Sequence, residues 1–134
     1  MAYKMGAVPP ETARIGVQAA EAIAAGDVCA LNSSGYAIKA NAALSAHIPA
    51  VGLAEIAAAI GARVTIIREC AYVSGASGLS IGQAVYLGET AGTVTATKPT
   101  SGTDCIQVIG AALSATEFWF DIGSARYTKD QTHA

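Results

Sequence analysis

The sequence predicts a mainly β protein: a small antiparallel β-barrel or sandwich built from two related halves, with an extended N-terminal arm and at most one short helix. Two observations predict it. Short runs of alternating apolar residues are separated by glycine-bounded turns, most clearly over 78–96 (GLSIGQAVYLGETAGTVTA). The same arrangement also occurs earlier, over 22–38 (AIAAGDVCALNSSGYAI), and a pattern written twice describes one folding unit used twice.

A constant shift sets Val17 on Val73, Ala20 on Ala76, Ile23 on Leu79, Gly26 on Gly82 and Leu31 on Leu87. The shift grows by one to set Gly35 on Gly92, and by one more to set Gly52 on Gly110. These increments fall in turns, where insertion costs little. The recurring glycines mark corners that need a positive φ or a close backbone approach. The chain therefore divides into an extended arm (1–13), one β domain (14–123) of two pseudo-repeats, about 14–70 and 71–123, and a polar tail (124–134).

Taken in order, the arm MAYKMGAVPPETA contains Pro9 and Pro10, which fix extended geometry and remove two backbone donors. It reads either as a terminus without fixed structure or as an arm laid on a neighbouring subunit, with Tyr3, Met5 and Val8 as apolar anchors. In the first repeat, strands are expected over 15–20, 28–32, 36–40 and 63–69, with 48–53 as an additional one. In the second, the expected strands are 71–74, 84–88, 92–97, 105–113 and 117–122. Residues 53–60 (LAEIAAAI) have high helix propensity, place Leu53, Ile56 and Ile60 on one helical face and end at Gly61. The second repeat has only 112–116 there, so this stretch is either an inserted helical turn or a longer hairpin.

Composition bounds the function. The chain has 134 residues, enough for one domain that needs no disulfide or metal. Only 13% are charged and 52% are hydrophobic, much of that alanine. A surface so poor in charge is better suited to a homo-oligomer or a larger assembly than to a free monomer. The net charge is −2 and the basic residues are scattered singly, which argues against nucleic-acid binding. The longest uncharged run, 70–88, is interrupted by glycines and serines and is no membrane span. Lys4, Glu11 and Arg14 leave no apolar stretch for a signal peptide. Cys29, Cys70 and Cys105 are dispersed, as expected of synthesis in a reducing compartment.

No catalytic, cofactor or metal site is expected. The two histidines, His47 and His133, provide no base beside a nucleophile, and no histidines, cysteines or acids have ligand spacing. Cys29 occupies the position of Val85 and reads as a small core residue. Residues 75–82 (GASGLSIG) lack the lysine of a phosphate loop and read as a turn. Trp119 lies between Phe118 and Phe120 but on the opposite face, so alternation points it outward as an interface anchor or beneath the arm. The expected interface residues are thus Tyr3, Met5, Val8, Pro9, Pro10 and Trp119.

The twofold pattern of GD or GQ, VCALNSSGY and AVYLGETAGTV, then VGLA or IGAA and an alternating strand, resembles small bacteriophage capsid decoration proteins, also called cement proteins. The resemblance spans about 17–123. It implies a β-rich, commonly trimeric virion protein, made in the host cytoplasm, that binds the capsid exterior where major capsid protein subunits meet. It carries no catalytic residue. Two other functions compete with it. A biotinyl- or lipoyl-type carrier barrel would present Lys39 or Lys98 at a hairpin tip, and a receptor-binding or fibre module would use loops 33–35 and 98–104.

Overall fold

The computed structural model describes residues 4–5, 14–68, 71–100 and 104–122. Alternation and glycine corners produce eleven short strands among these residues: β1 (Lys4–Met5), β2 (Arg14–Gln18), β3 (Val28–Leu31), β4 (Ala37–Lys39), β5 (Gly52–Ala54), β6 (Arg63–Ile67), β7 (Ala71–Ser74), β8 (Ala84–Leu87), β9 (Val94–Thr95), β10 (Val108–Ala112) and β11 (Glu117–Phe120). They form two antiparallel sheets. The first has the order β2–β6–β5–β3–β4, and the second has β7–β11–β10–β8–β9, with β1 added beside β7.

Strand for strand, these are the same topology, and the register repeats as well. Cys29 faces Gly52 in the first sheet as Val85 faces Gly110 in the second, and Leu31–Ala37 corresponds to Leu87–Val94. The corner bonds recur too: Gly26 N–H donates to Ala54 O (2.8 Å) as Gly82 N–H does to Ala112 O (2.8 Å). Gly26 and Gly82 both have positive φ, 88° and 80°, as do Gly35 and Gly92 at 80° and 77°. The other repeated pair has a different cause. A Cβ on Gly52 would run into the Ile66 side chain and the Ile67 carbonyl, and one on Gly110 into the Trp119 carbonyl. These positions are glycine because a neighbouring strand passes too close for a side chain.

The halves differ in closure. In the first, Ala19 beyond β2 bridges Ala37 of β4, and Ala20 N–H donates to Ala37 O (2.9 Å), so the sheet curls round and meets its own edge. Within the curl lie Ala19, Ile23, Cys29, Ala37, Ala54, Ala58, Val64 and Ile66. The opposite face of the same strands, including Val28, Ala30, Ile38 and Leu53, packs on Val73, Val85, Leu87, Ile109, Phe118 and Phe120 of the second sheet. The first sheet is therefore apolar on both faces, which explains its near-continuous small apolar runs.

Residues 53–60 are not helical. Leu53 and Ala54 belong to β5, Ala58 exchanges two backbone hydrogen bonds with Ile23 (2.8 and 2.9 Å), and Gly61 N–H donates to Ala19 O (2.8 Å). The segment is the longer hairpin, strapped across the mouth of the first sheet. An isolated helix of two turns is marginal, and distant backbone partners outcompete it. Ile56 and Ile60, assigned with Leu53 to one helical face, are exposed while Leu53 is fully buried. The helical element among the described residues is a single 3-10 turn, Ser45–His47. The expected strands over 105–113 and 117–122 are shorter than the pattern suggested, ending at Ala112 and Phe120.

The halves are joined by a polar seam. Gly92 inserts its peptide between β3 and the end of β4, accepting from Val28 N–H (3.1 Å) and donating to Ala40 O (2.8 Å). Ala42 N–H donates to Gly88 O (2.9 Å), and Ala42 O accepts from Cys105 N–H (2.8 Å). At its centre is Gln107, wholly buried. Its Oε1 accepts from Ala50 N–H (2.8 Å) and its Nε2 donates to Ala50 O (2.9 Å).

Two predictions follow from this geometry. Gln107→Ala would orphan both backbone groups of Ala50, each worth about 1–3 kcal/mol when buried, so urea unfolding should report a loss of about 2–6 kcal/mol. Gln107→Glu should not rescue it, because a carboxylate cannot donate to Ala50 O. At the glycines, Gly110→Ala should be far more harmful than Gly35→Ala. The latter has open space around its Cβ and bears only the left-handed strain of about 1–2 kcal/mol. A thermal-denaturation midpoint for Gly110→Ala no lower than that for Gly35→Ala would refute the close-approach explanation.

Candidate functional site

Because successive side chains on a strand alternate, burying Phe118 and Phe120 in the shared core turns Trp119 outward. Trp119 is 39% exposed. Register fixes its neighbours: Tyr72 on β7 and Ala111 on β10 stand directly opposite it, and Ala84 on β8 stands opposite Ala111. A second row runs Val108, Tyr86, Thr95. A bulge between Val108 and Gly110 sends Ile109 into the core while leaving Val108 exposed on this face. The outer face of the second sheet thus presents Tyr72, Trp119, Tyr86 and Val108 over a floor of alanines.

Glu117 sits at the rim of this face, two residues before Trp119 on β11. Glu117 accepts a short hydrogen bond from the Tyr72 hydroxyl and a second from Ser114 Oγ (2.9 Å). The Tyr72 bond, then the Ser114 bond, hold the Glu117 carboxyl below the usual carboxylate range, and the same bond raises the Tyr72 phenol. The carboxylate therefore fixes the Tyr72 ring beside Trp119, giving a preordered aromatic pair with little rotamer freedom left to lose on binding.

The other sequence-expected interface residues lie elsewhere. Met5 is in β1, where its backbone pairs with Val73 at the edge of the same sheet. Tyr3, Val8, Pro9 and Pro10 lie outside the described residues. Tyr72, Tyr86 and Val108 were not anticipated, because cross-strand register is not written in any local pattern. An aromatic at the centre of each alternating run was the available signal.

The groups tested for chemistry have structural roles. His47 is half-buried, with its Nδ1 3.0 Å from Lys39 O, a backbone contact that fixes the ring. Residues 75–82 form the β7–β8 turn, with positive φ at Gly75, Gly78 and Gly82, and bury Ala76 and Leu79. Lys39 lies within β4, its N–H bonded to Glu21 Oε2 (3.0 Å), and Lys98 adjoins the buried Pro99 in the β9–β10 connection. Neither is displayed at a hairpin tip, as a carrier lysine would be. Among the described residues no three His, Cys, Asp or Glu side chains converge, and no helix is long and apolar enough to cross a membrane.

The described residues thus form a two-sheet β fold in which one sheet curls onto its own edge and the other carries Trp119 on its outer face. A family model described as phage cement protein matches residues 8–117, and the chain belongs to that family. It is a structural, capsid-associated phage family. Comparison with curated proteins found no match.

Cys29 and Cys105 are both free and buried. Burial, then the nearby Asp27 charge, pushes the Cys29 thiol up to about 12; burial and then Asp104 push Cys105 up to about 11. A thiol reacts as its thiolate. Neither should therefore be alkylated by iodoacetamide in the native protein at pH 8, while both should be labelled in denaturant. Peptide mapping by mass spectrometry checks this, and stoichiometric native labelling of Cys29 would contradict the packing described.

Proposed function

We propose that this protein binds the outside of an assembled phage head and stabilises it across the boundaries between major capsid protein subunits, with the outer face of the second sheet as a contact surface. Family membership supports the capsid association. The observation that carries the finer reading is exposed Trp119 beside half-buried Tyr72 on the outer face of the sheet, with Tyr86 and exposed Val108 in the next row. Buried aromatic anchors dominate protein–protein binding energy, and a well-ordered tryptophan at the centre of a face is the form such anchors take.

The protein acts by binding, not by catalysis. A ligand that recognises only the assembled shell raises the free energy of opening it by mass action. Repetition over the lattice makes modest individual contacts sufficient. The low charge content favours a homo-oligomer, and a trimer suits a position where several capsid subunits meet. The N-terminal arm, with Tyr3, Met5, Val8, Pro9 and Pro10, provides a second contact region. Synthesis in the host cytoplasm agrees with the unpaired buried thiols.

Heating phage heads with and without the protein tests the function, and Trp119→Ala tests the surface. The wild type should raise the rupture temperature. The variant should fold normally by circular dichroism yet bind at least about 30-fold more weakly, the loss expected for removing a hot-spot side chain. Equal rupture temperatures with and without wild-type protein would sink the capsid reading. Undiminished binding by Trp119→Ala would sink only the assignment of the face.

A further inference from the structure

We propose that Arg63 is an edge guard: its guanidinium lies over Gly16 and closes the outer edge of β2 to strand addition by a second copy of this chain. This holds whether or not the protein binds a phage head. β2 is the terminal strand of the first sheet and pairs along its length with β6. A strand edge presents N–H and C=O groups that template pairing with another chain, and the β2 sequence RIGVQ has no proline or acidic residue to discourage it. Ile15 is 41% exposed, and Gly16 and Gln18 are exposed as well.

The curl of the sheet covers only part of this edge. Beyond β2, Ala20 N–H donates to Ala37 O (2.9 Å), and Glu21 Oε2 accepts from Lys39 N–H (3.0 Å), which occupies an outward donor of β4. Residues 14–17 precede that closure. Peptide direction alternates along a strand, so register identifies the groups that point outward. Ala19 turns both of its backbone groups to the β6 side, its N–H to Ala62 O and its carbonyl to Gly61 N–H (2.8 Å each). Val17 and Ile15 point the same way, and Gly16 directs its N–H and C=O away from the sheet.

Arg63 meets that outward carbonyl. It stands at the start of β6, opposite Gln18, and its Nη2 donates to Gly16 O (3.0 Å). A Cβ on Gly16 would lie 3.1 Å from Arg63 Nε and 3.5 Å from Nη2, so the guanidinium lies across the glycine. Gly16 is not among the glycines with positive φ. Its missing side chain, which leaves room for Arg63, is what accounts for a glycine in mid-strand. An incoming strand would have to strip the guanidinium from Gly16 and bury its charge against the sheet, both of which are costly. Each edge of the curled sheet is thus met by a side chain of matching sign, a carboxylate on the β4 donor and a guanidinium on the β2 acceptor. In a chain with only 13% charged residues, such placement is a main defence against self-association.

The test follows the full chain by sedimentation equilibrium over roughly a hundredfold range of concentration, for the wild type, Arg63→Ala, Arg63→Thr and Lys98→Ala. Lys98 is exposed in the β9–β10 connection, so its replacement separates the position of a lost charge from the change in net charge. Arg63→Ala should reach at least about twice the mass of the wild-type species, as two-fold pairing requires, while Lys98→Ala should follow the wild type. Arg63→Thr has a strand-favouring side chain too short to reach Gly16, and it should behave as Arg63→Ala even if alanine weakens the strand. Amide exchange measured by NMR locates the contact: Gly16 N–H should exchange at least about tenfold more slowly in the associated variants than in the wild type. Masses equal to the wild type in both Arg63 variants overturn the proposal, and so does association that leaves Gly16 exchange unchanged. Equal association of Lys98→Ala also overturns it, because loss of a charge anywhere would then suffice.

Discussion

The two hydrogen bonds between the Gln107 side-chain amide and the Ala50 backbone are the constraint on which the remaining structure depends. Ala50 is buried in the connection between β4 and β5 of the first sheet, where both of its backbone groups lie outside the strand ladders and meet Gln107 of the second half. An apolar side chain could fill the space but would leave a donor and an acceptor unsatisfied. A hydroxyl or a carboxylate would satisfy at most one of them in this geometry. A primary amide offers an acceptor and a donor side by side, matching a peptide group edge to edge. With that polar cost met, small apolar residues such as Val28, Ala30 and Ala40 can pack directly on Leu87, Ile109 and Phe118.

The duplicated topology supports two different outcomes. In the first half, alanine and valine allow the sheet to curl until Ala19 meets Ala37, and the 53–62 segment covers its open end through Ala58 and Ile23. The second half has only the short β10–β11 connection there, from which Ala115 O accepts from Leu79 N–H (3.1 Å). Its larger inner residues, Phe118 and Phe120, fill the common core, and its outer face stays open, with Tyr72, Trp119 and Tyr86 in view. The two copies of one topology thus end differently, one closed on itself and the other with Trp119 exposed on its outer face.

Much of the fold was legible because glycine leaves a strong trace. The repeats Gly26–Gly82, Gly35–Gly92 and Gly52–Gly110 reported on backbone requirements that no other residue meets, and each pair occupies equivalent corners or crossings. Trp119 was legible for a similar reason: the order Phe, Trp, Phe permits only one face for the tryptophan once the phenylalanines are buried. The misreading of 53–60 came from judging local propensity where the decisive partners, Ile23 and Ala19, lie some thirty to forty residues upstream. Gln107 and Asp104 were invisible for a related reason. A polar residue in a strand-like run ordinarily marks the wet side, and only the tertiary arrangement shows that both are buried. Likewise Tyr72 became a neighbour of Trp119 through pairing register, which a single segment does not encode.

The insertion of Gly92 between Val28 and Ala40 has a consequence for how the chain reaches its native state. Ala40 N–H donates to Val28 O (2.8 Å), but the reciprocal groups, Val28 N–H and Ala40 O, are not paired with each other; each waits for a peptide more than fifty positions further along. The amino-terminal sheet therefore cannot finish its own ladder as it leaves the ribosome. Such long-range closure slows folding and couples it to completion of the chain. The two halves share one topology, yet a chain ending before Gly92 would leave Val28 N–H and Ala40 O without their partner, so the first sheet reaches its full set of hydrogen bonds only once the second half has been made.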